Sequence, residues 1–203
     1  MNNNLMMTEQ IIFTLQLIQI DFFTAFGLFT FLYFLFSIFI KNPIIKKVDE
    51  ETNRFISFIG IVYLILWIIG IFVQLNVLPQ EEKTELLNRM FGKYWFGIWI
   101  QPLLWVLITQ LLRFKAIRKN IFLRIFFSIL LMISIERMII ITIMFHRDYL
   151  PSSWTMYNEV DIYPSNLALS LFLKVIMFLV STGIFYLINN KLRGLKLYRE
   201  NNN

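Results

Sequence analysis

The sequence predicts an all-α integral membrane protein: one domain built as a bundle of about five transmembrane helices, N-terminus outside and C-terminus in the cytoplasm. Three observations carry that expectation. The 203 residues are 58% hydrophobic and 17% aromatic, with a mean hydropathy of +0.64, more apolar than an ordinary soluble domain. Five apolar stretches are each long enough for a bilayer core, which takes roughly 20 residues of helix. The basic residues lie in short clusters between those stretches.

The first stretch, Ile11–Ile40, exceeds one bilayer crossing, and Gln16, Gln19 and Asp21 place the start of its lipid-embedded part near Phe22. The second runs over Phe55–Leu75. Pro79 then leads into an expected interfacial helix over about 82–92, where Leu86, Leu87, Met90 and Phe91 share one face and Glu85 precedes Arg89 by one turn. Tyr94, Trp95 and Trp99 open the third stretch, Tyr94–Leu112, as an aromatic belt at the headgroups. Pro102 inside it predicts a kink. The fourth and fifth stretches are Ile121–Phe145 and Leu167–Ile188. Gly60 and Gly70 fit close helix packing, since no Gly-rich phosphate loop with a lysine follows either.

Lysine and arginine set the orientation, because positive residues are retained on the cytoplasmic side. Of the 19 Lys and Arg, thirteen fall on one side, in clusters at 41–54, 113–124 and 191–199. Four fall on the other: Lys83, Arg89, Lys93 and Arg147. The loops at 76–93 and 146–166 are therefore expected outside.

Composition also excludes chemistry. The absence of cysteine rules out disulfides, thiolate iron–sulfur ligation and a cysteine nucleophile. A single histidine, His146, cannot supply the pair that a bis-histidine membrane haem needs. The net charge of +6 is read as a topology signal and not as a nucleic-acid footprint. Met1 to Gln10 has no basic n-region, so the first helix is expected to persist in the mature chain.

Charges within lipid are costly and face protein, water or one another, so Asp21, Glu136, Arg137 and Lys174 are the candidate site residues. Glu136, ten residues before His146, and Lys174, ten residues after Pro164, both come out about 15 Å deep at 1.5 Å per residue. They meet if their helices are neighbours. Such a pair can be a clasp between helices or a proton-carrying site. Arg137 can hold Glu136 ionised or reach a headgroup. Asp21 reads as a solvated carboxylate at the outer end of its helix. The outer segment His146, Arg147, Asp148, Tyr149, Leu150, Pro151, Ser152, Ser153, Trp154 reads as an anchoring loop, or as a pH-responsive relay through His146 and Asp148. A hydrolase triad is not implied, as no nucleophile elbow accompanies Ser152.

Several of these pieces recur together in one family. Tyr94-Trp95-Phe96, Pro102, the Leu111-Leu112-Arg113-Phe114-Lys115 exit with Arg118, Ser134-Ile135-Glu136-Arg137, the His146–Trp154 loop and Tyr163-Pro164-Ser165 form the pattern. It resembles the C-terminal half of the NrfD/polysulfide-reductase membrane subunits, especially the quinol-linked subunits of bacterial alternative complex III. The likeness spans about half of the chain. It implies a multi-pass subunit of the bacterial inner membrane that holds no cofactor of its own. It also implies quinol as a substrate of the whole assembly, with an extracytoplasmic iron–sulfur subunit, a cytochrome c-type subunit and other membrane subunits as partners. On it, Glu136 and Arg137 belong to a proton path or its electrostatic control, and His146, Arg147 and Asp148 to the path's outer end or a subunit interface. Family members carry two helical bundles and more helices than the five expected here, so the resemblance implies a shortened or split member. No quinol ligand is carried over. The competing expectation is a membrane scaffold that assembles partners without chemistry.

Overall fold

A computed structural model describes residues 10–40, 42–93, 95–133, 163–164 and 166–201. Every regular element among them is helical: α1 (Gln10–Phe39), α2 (Pro43–Val77), α3 (Gln80–Phe91), α4 (Phe96–Leu111), α5 (Lys115–Lys119), α6 (Ile121–Met132) and α7 (Leu167–Asn201). Asparagine starts three of them. Asn42 Oδ1 accepts from the Ile44 amide at 2.8 Å, Asn120 Oδ1 from Phe122 and Leu123, and Asn166 Oδ1 from Ala168 and Leu169. Each thereby satisfies amides that a helix start leaves without an intrahelical partner. Pro43 follows Asn42 at the first helical position, where a missing N–H costs nothing.

Apolar helices that follow one another from α1 to α6 alternate in direction, as their contacts show. Gln19 Nε2 donates to Tyr63 Oη at 2.9 Å, while Ile11 lies near Gly70, so α1 and α2 run antiparallel. Ser57 meets Thr109 and Trp67 meets Trp99, so α2 and α4 do too. Trp105 Nε1 donates to the Leu130 carbonyl at 3.2 Å across α4 and α6. The core gathers around α1, where Phe22, Phe26 and Phe29 meet Phe178 with ring centroids 6.1 to 6.4 Å apart, and Phe55 joins at 5.6 Å. At Gly60 the α2 backbone rests on Thr109, and a Cβ there would overlap that side chain. Gly70 meets only ordinary contacts, so close packing belongs to Gly60.

Among the described residues, three helices are long and apolar enough to cross a membrane: Gln10–Phe39, Pro43–Val77 and Ala168–Gly194. In the most apolar stretch of each, no more than 33% is buried inside the protein. The outward faces, with Phe36, Phe72 and Phe172 among the exposed side chains, are left for lipid to cover. Two shorter apolar helices accompany them, Ile98–Leu111 and Ile121–Met132. The latter spans about 18 Å at 1.5 Å per residue. Ile133 after it is extended, and the rest of the fourth apolar stretch lies outside the described residues.

One placement differs from the sequence expectation. The basic segment 41–54, expected as a loop, is largely helix, because the Asn42-Pro43 start nucleates α2 well before its apolar run begins at Phe55. The amphipathic α3 carries the Glu85–Arg89 ion pair and buries Met90. Trp99 Nε1 donates to the Met90 carbonyl at 2.9 Å and fixes α3 onto the start of α4.

Candidate functional site

Asp21 lies in a wide π-helical stretch of α1, Leu17–Phe23, whose inserted turn brings the consecutive residues Ile20 and Asp21 both into the interior. Such turns are rare and cluster at functional sites. Asp21 is 1% exposed and Lys174 7%. Lys174 Nζ stands 3.2 Å from Asp21 Oδ1, joining α1 to α7. Counted along their helices, Asp21 is about 16 Å from the start of α1 and Lys174 about 10 Å from the start of α7. The pair thus lies inside the bundle, below the end that carries α3.

Tyr163 closes the site. Lys174 Nζ is 5.1 Å from its ring centroid, a cation–π distance. Burial pushes the Tyr163 phenol up to about 12; the negative charge of Asp21 and a hydrogen bond to it add to the shift. The phenol oxygen also lies 3.3 Å from Met177 Sδ, but it has one proton to give and a thioether is the weaker acceptor. Asp21, Lys174 and Tyr163 thus bring a carboxylate, an ammonium and a phenol together, three groups that can each hold or pass a proton.

One consequence is measurable at high pH. Because the folded pKa of Tyr163 lies above the unfolded value of 10.0, its contribution to stability is complete below pH 10 and is lost as pH rises toward about 12. Asp21→Asn removes the charge that supports the shift. Ultraviolet titration of tyrosinate, with Tyr163→Phe as the reference, is expected to show this residue ionising earlier in Asp21→Asn than in the wild type. An unchanged curve would separate Tyr163 from Asp21.

The sequence set Lys174 at the same depth as Glu136, which lies outside the described residues, and read Asp21 as a solvated carboxylate. In the structure Lys174 binds Asp21, and Asp21 is buried. The reason is that the described part of α1 already runs from Gln10, so Asp21 is well inside a continuous helix and not at its end. Glu136, Arg137, His146, Arg147, Asp148, Tyr149, Pro151, Ser152, Ser153 and Trp154 lie outside the described residues.

A second buried pair was not foreseen. Arg124 on α6 is 2% exposed and presents its guanidinium fork to Asp49 on α2, with Nη1 donating to Oδ2 at 2.9 Å and Nη2 to Oδ1. Its guanidinium also lies 4.9 Å from the Tyr33 ring and 5.1 Å from Phe34, so α1, α2 and α6 meet on this one side chain. Asn53 Nδ2 donates to the Asp49 carbonyl at 2.6 Å. One turn on, Ser57 Oγ lies 2.8 Å from Thr109 O and Gln110 Nε2 donates to Ser57 O at 2.9 Å, tying α2 to α4. The signal for Arg124 was present as a lone charge within Ile121-Phe122-Leu123-Arg124-Ile125-Phe126-Phe127. Asp49 had none, because it sits in a run of charged residues.

Among the described residues no group of three or more histidine, aspartate and glutamate side chains is placed to hold a metal ion. Comparison with protein-family models, characterised proteins and solved structures finds no match to this chain.

Proposed function

We propose that this chain is a five-span subunit of the bacterial inner membrane, N-terminus outside, within a quinol-oxidising respiratory complex of the alternative complex III type. Oxidation of a quinol releases protons as well as electrons. In this reading the electrons pass to an iron–sulfur subunit and a cytochrome c-type subunit, and this chain, holding no redox group, handles protons. The observation that carries the proposal is the buried Asp21–Lys174–Tyr163 cluster, because ionisable groups kept inside a membrane bundle mark proton and substrate routes. The resemblance of the Glu136-Arg137 and His146–Trp154 segments to quinol-linked subunits supports it. Glu136, Arg137, His146 and Asp148 then extend the route toward the outer face.

Purification of the chain from its native membrane, with identification of the proteins that accompany it, tests this reading. Iron–sulfur and multihaem cytochrome subunits are the expected companions. Recovery of an intact membrane assembly containing neither would overturn it.

A non-catalytic scaffold is the second reading, favoured by the fact that both buried ion pairs join helices distant in sequence, α1 to α7 and α2 to α6. A scaffold carrying Glu136→Gln with Lys174→Gln would assemble poorly yet keep full activity in each complex that forms.

A further inference from the structure

At the end of the bundle opposite Asp21, a cavity of about 510 Å³ opens between α2, the α4–α5 turn and α7. Among the described residues its charged lining is four arginines, Arg54, Arg113, Arg118 and Arg193, with no acidic side chain. Arg54 is partly neutralised by Glu51, one turn away at 2.5 Å. Arg113 is held by Gln110 Oε1 at 3.3 Å, a neutral acceptor, so its charge remains. Arg118 keeps a buried Nε with no hydrogen-bond partner. Converging guanidiniums with unused donors match a phosphate, which offers several acceptor oxygens in the geometry arginine prefers.

The other wall of the cavity distinguishes a lipid from a free anion. Phe58 and Ile61 line it and are 47% and 40% exposed. They belong to the apolar run of α2 that starts just after Arg54, the last charged residue of that helix. The cavity therefore straddles the boundary between the basic end and the lipid-facing surface. A headgroup phosphate among the arginines would continue into acyl chain along Phe58 and Ile61. A volume of this size is ample for a glycerophosphate headgroup.

We infer that this cavity binds one anionic phospholipid, its phosphate held by Arg113, Arg118 and Arg193 and its acyl chain lying on the Phe58–Ile61 face. Basic pockets between membrane helices select such headgroups by charge. The inference depends on the membrane placement of the bundle and not on a redox role, so the lipid site and the proton site can fail independently.

The test uses the full chain, purified in neutral detergent, with retained lipid counted by native mass spectrometry and thermal unfolding followed in parallel. Phosphatidylglycerol is expected to remain bound and raise the unfolding temperature, whereas phosphatidylcholine does neither. Arg113→Gln with Arg118→Gln is expected to weaken phosphatidylglycerol binding by about fivefold per arginine, about twenty-five-fold for the pair. Arg113→Lys with Arg118→Lys, keeping the charge, should retain most of it. Should the glutamine variant fail to fold, competition between the two lipids on the wild-type chain decides alone. Equal retention of both lipids would overturn the proposal. Equal stabilisation by inorganic phosphate, or by a soluble oligoglutamate peptide, would overturn it in favour of a free anion or an acidic partner segment.

Discussion

Arg124→Leu is expected to destabilise the folded chain by about 3–5 kcal/mol, because it leaves Asp49 charged and buried without the guanidinium that compensates it. The same substitution removes the contacts to Tyr33 and Phe34, so α6 loses a contact with α1 as well as its ion pair with α2. Arg124→Lys keeps a charge but cannot reproduce the two-pronged fork, and an intermediate loss is expected. Asp49→Leu with Arg124→Leu behaves differently. Removing both charges together replaces a costly buried pair by apolar packing, which is often neutral or stabilising by about 1–4 kcal/mol. Chemical unfolding of the purified chain in lipid-like micelles, read by tryptophan fluorescence, checks all three. Single and double variants of equal stability would show that the pair is not sheltered as described.

The second large effect concerns Asp21 and Lys174. Lys174→Leu leaves a carboxylate 1% exposed without its ammonium, and Asp21→Leu strands the ammonium. Each single change is expected to cost several kcal/mol, about 3–5 by the measure of broken buried pairs, while the double change to leucine recovers most of it. Lys174 is the more tolerant partner. Its long stem can carry the amine toward the nearby Tyr163 end of the bundle, whereas the short Asp21 side chain cannot leave the interior. Asp21→Leu is therefore expected to be the milder of the two single variants. The coupling between the positions, obtained from the double-mutant cycle, isolates the pair from packing changes that each leucine brings.

How much of this was legible depends on how each signal is encoded. Long apolar runs give membrane helices directly, and α1, α2 and α7 fall where those runs are. The Asn42-Pro43 start of α2 is also encoded, as a cap followed by a first-turn proline, but the basic cluster behind it carries the topology signal of a loop as well. The same cluster hid Asp49. An acid surrounded by Lys46, Lys47, Glu50 and Glu51 gives no sign that it turns inward to meet an arginine far along the chain. Lys174 was legible as a charge that needs a partner, and hydropathy singles out such residues well. That Asp21 reaches it was not, because that depends on which helices are neighbours and on the π-helical turn that swings Asp21 inward. Depth along a helix can be counted from sequence, whereas adjacency cannot.

The decisive measurement for the proposed role is quinol oxidation by the assembly that purifies with the chain, carrying Asp21→Asn, Lys174→Gln or both, each normalised to assembled complex. If the two side chains form one proton-handling unit, each single variant loses nearly all of the turnover and the double variant loses little more, as groups acting together do. Fully assembled complexes that turn over at the wild-type rate in all three variants would leave the Asp21–Lys174 pair as a clasp between α1 and α7 and nothing else.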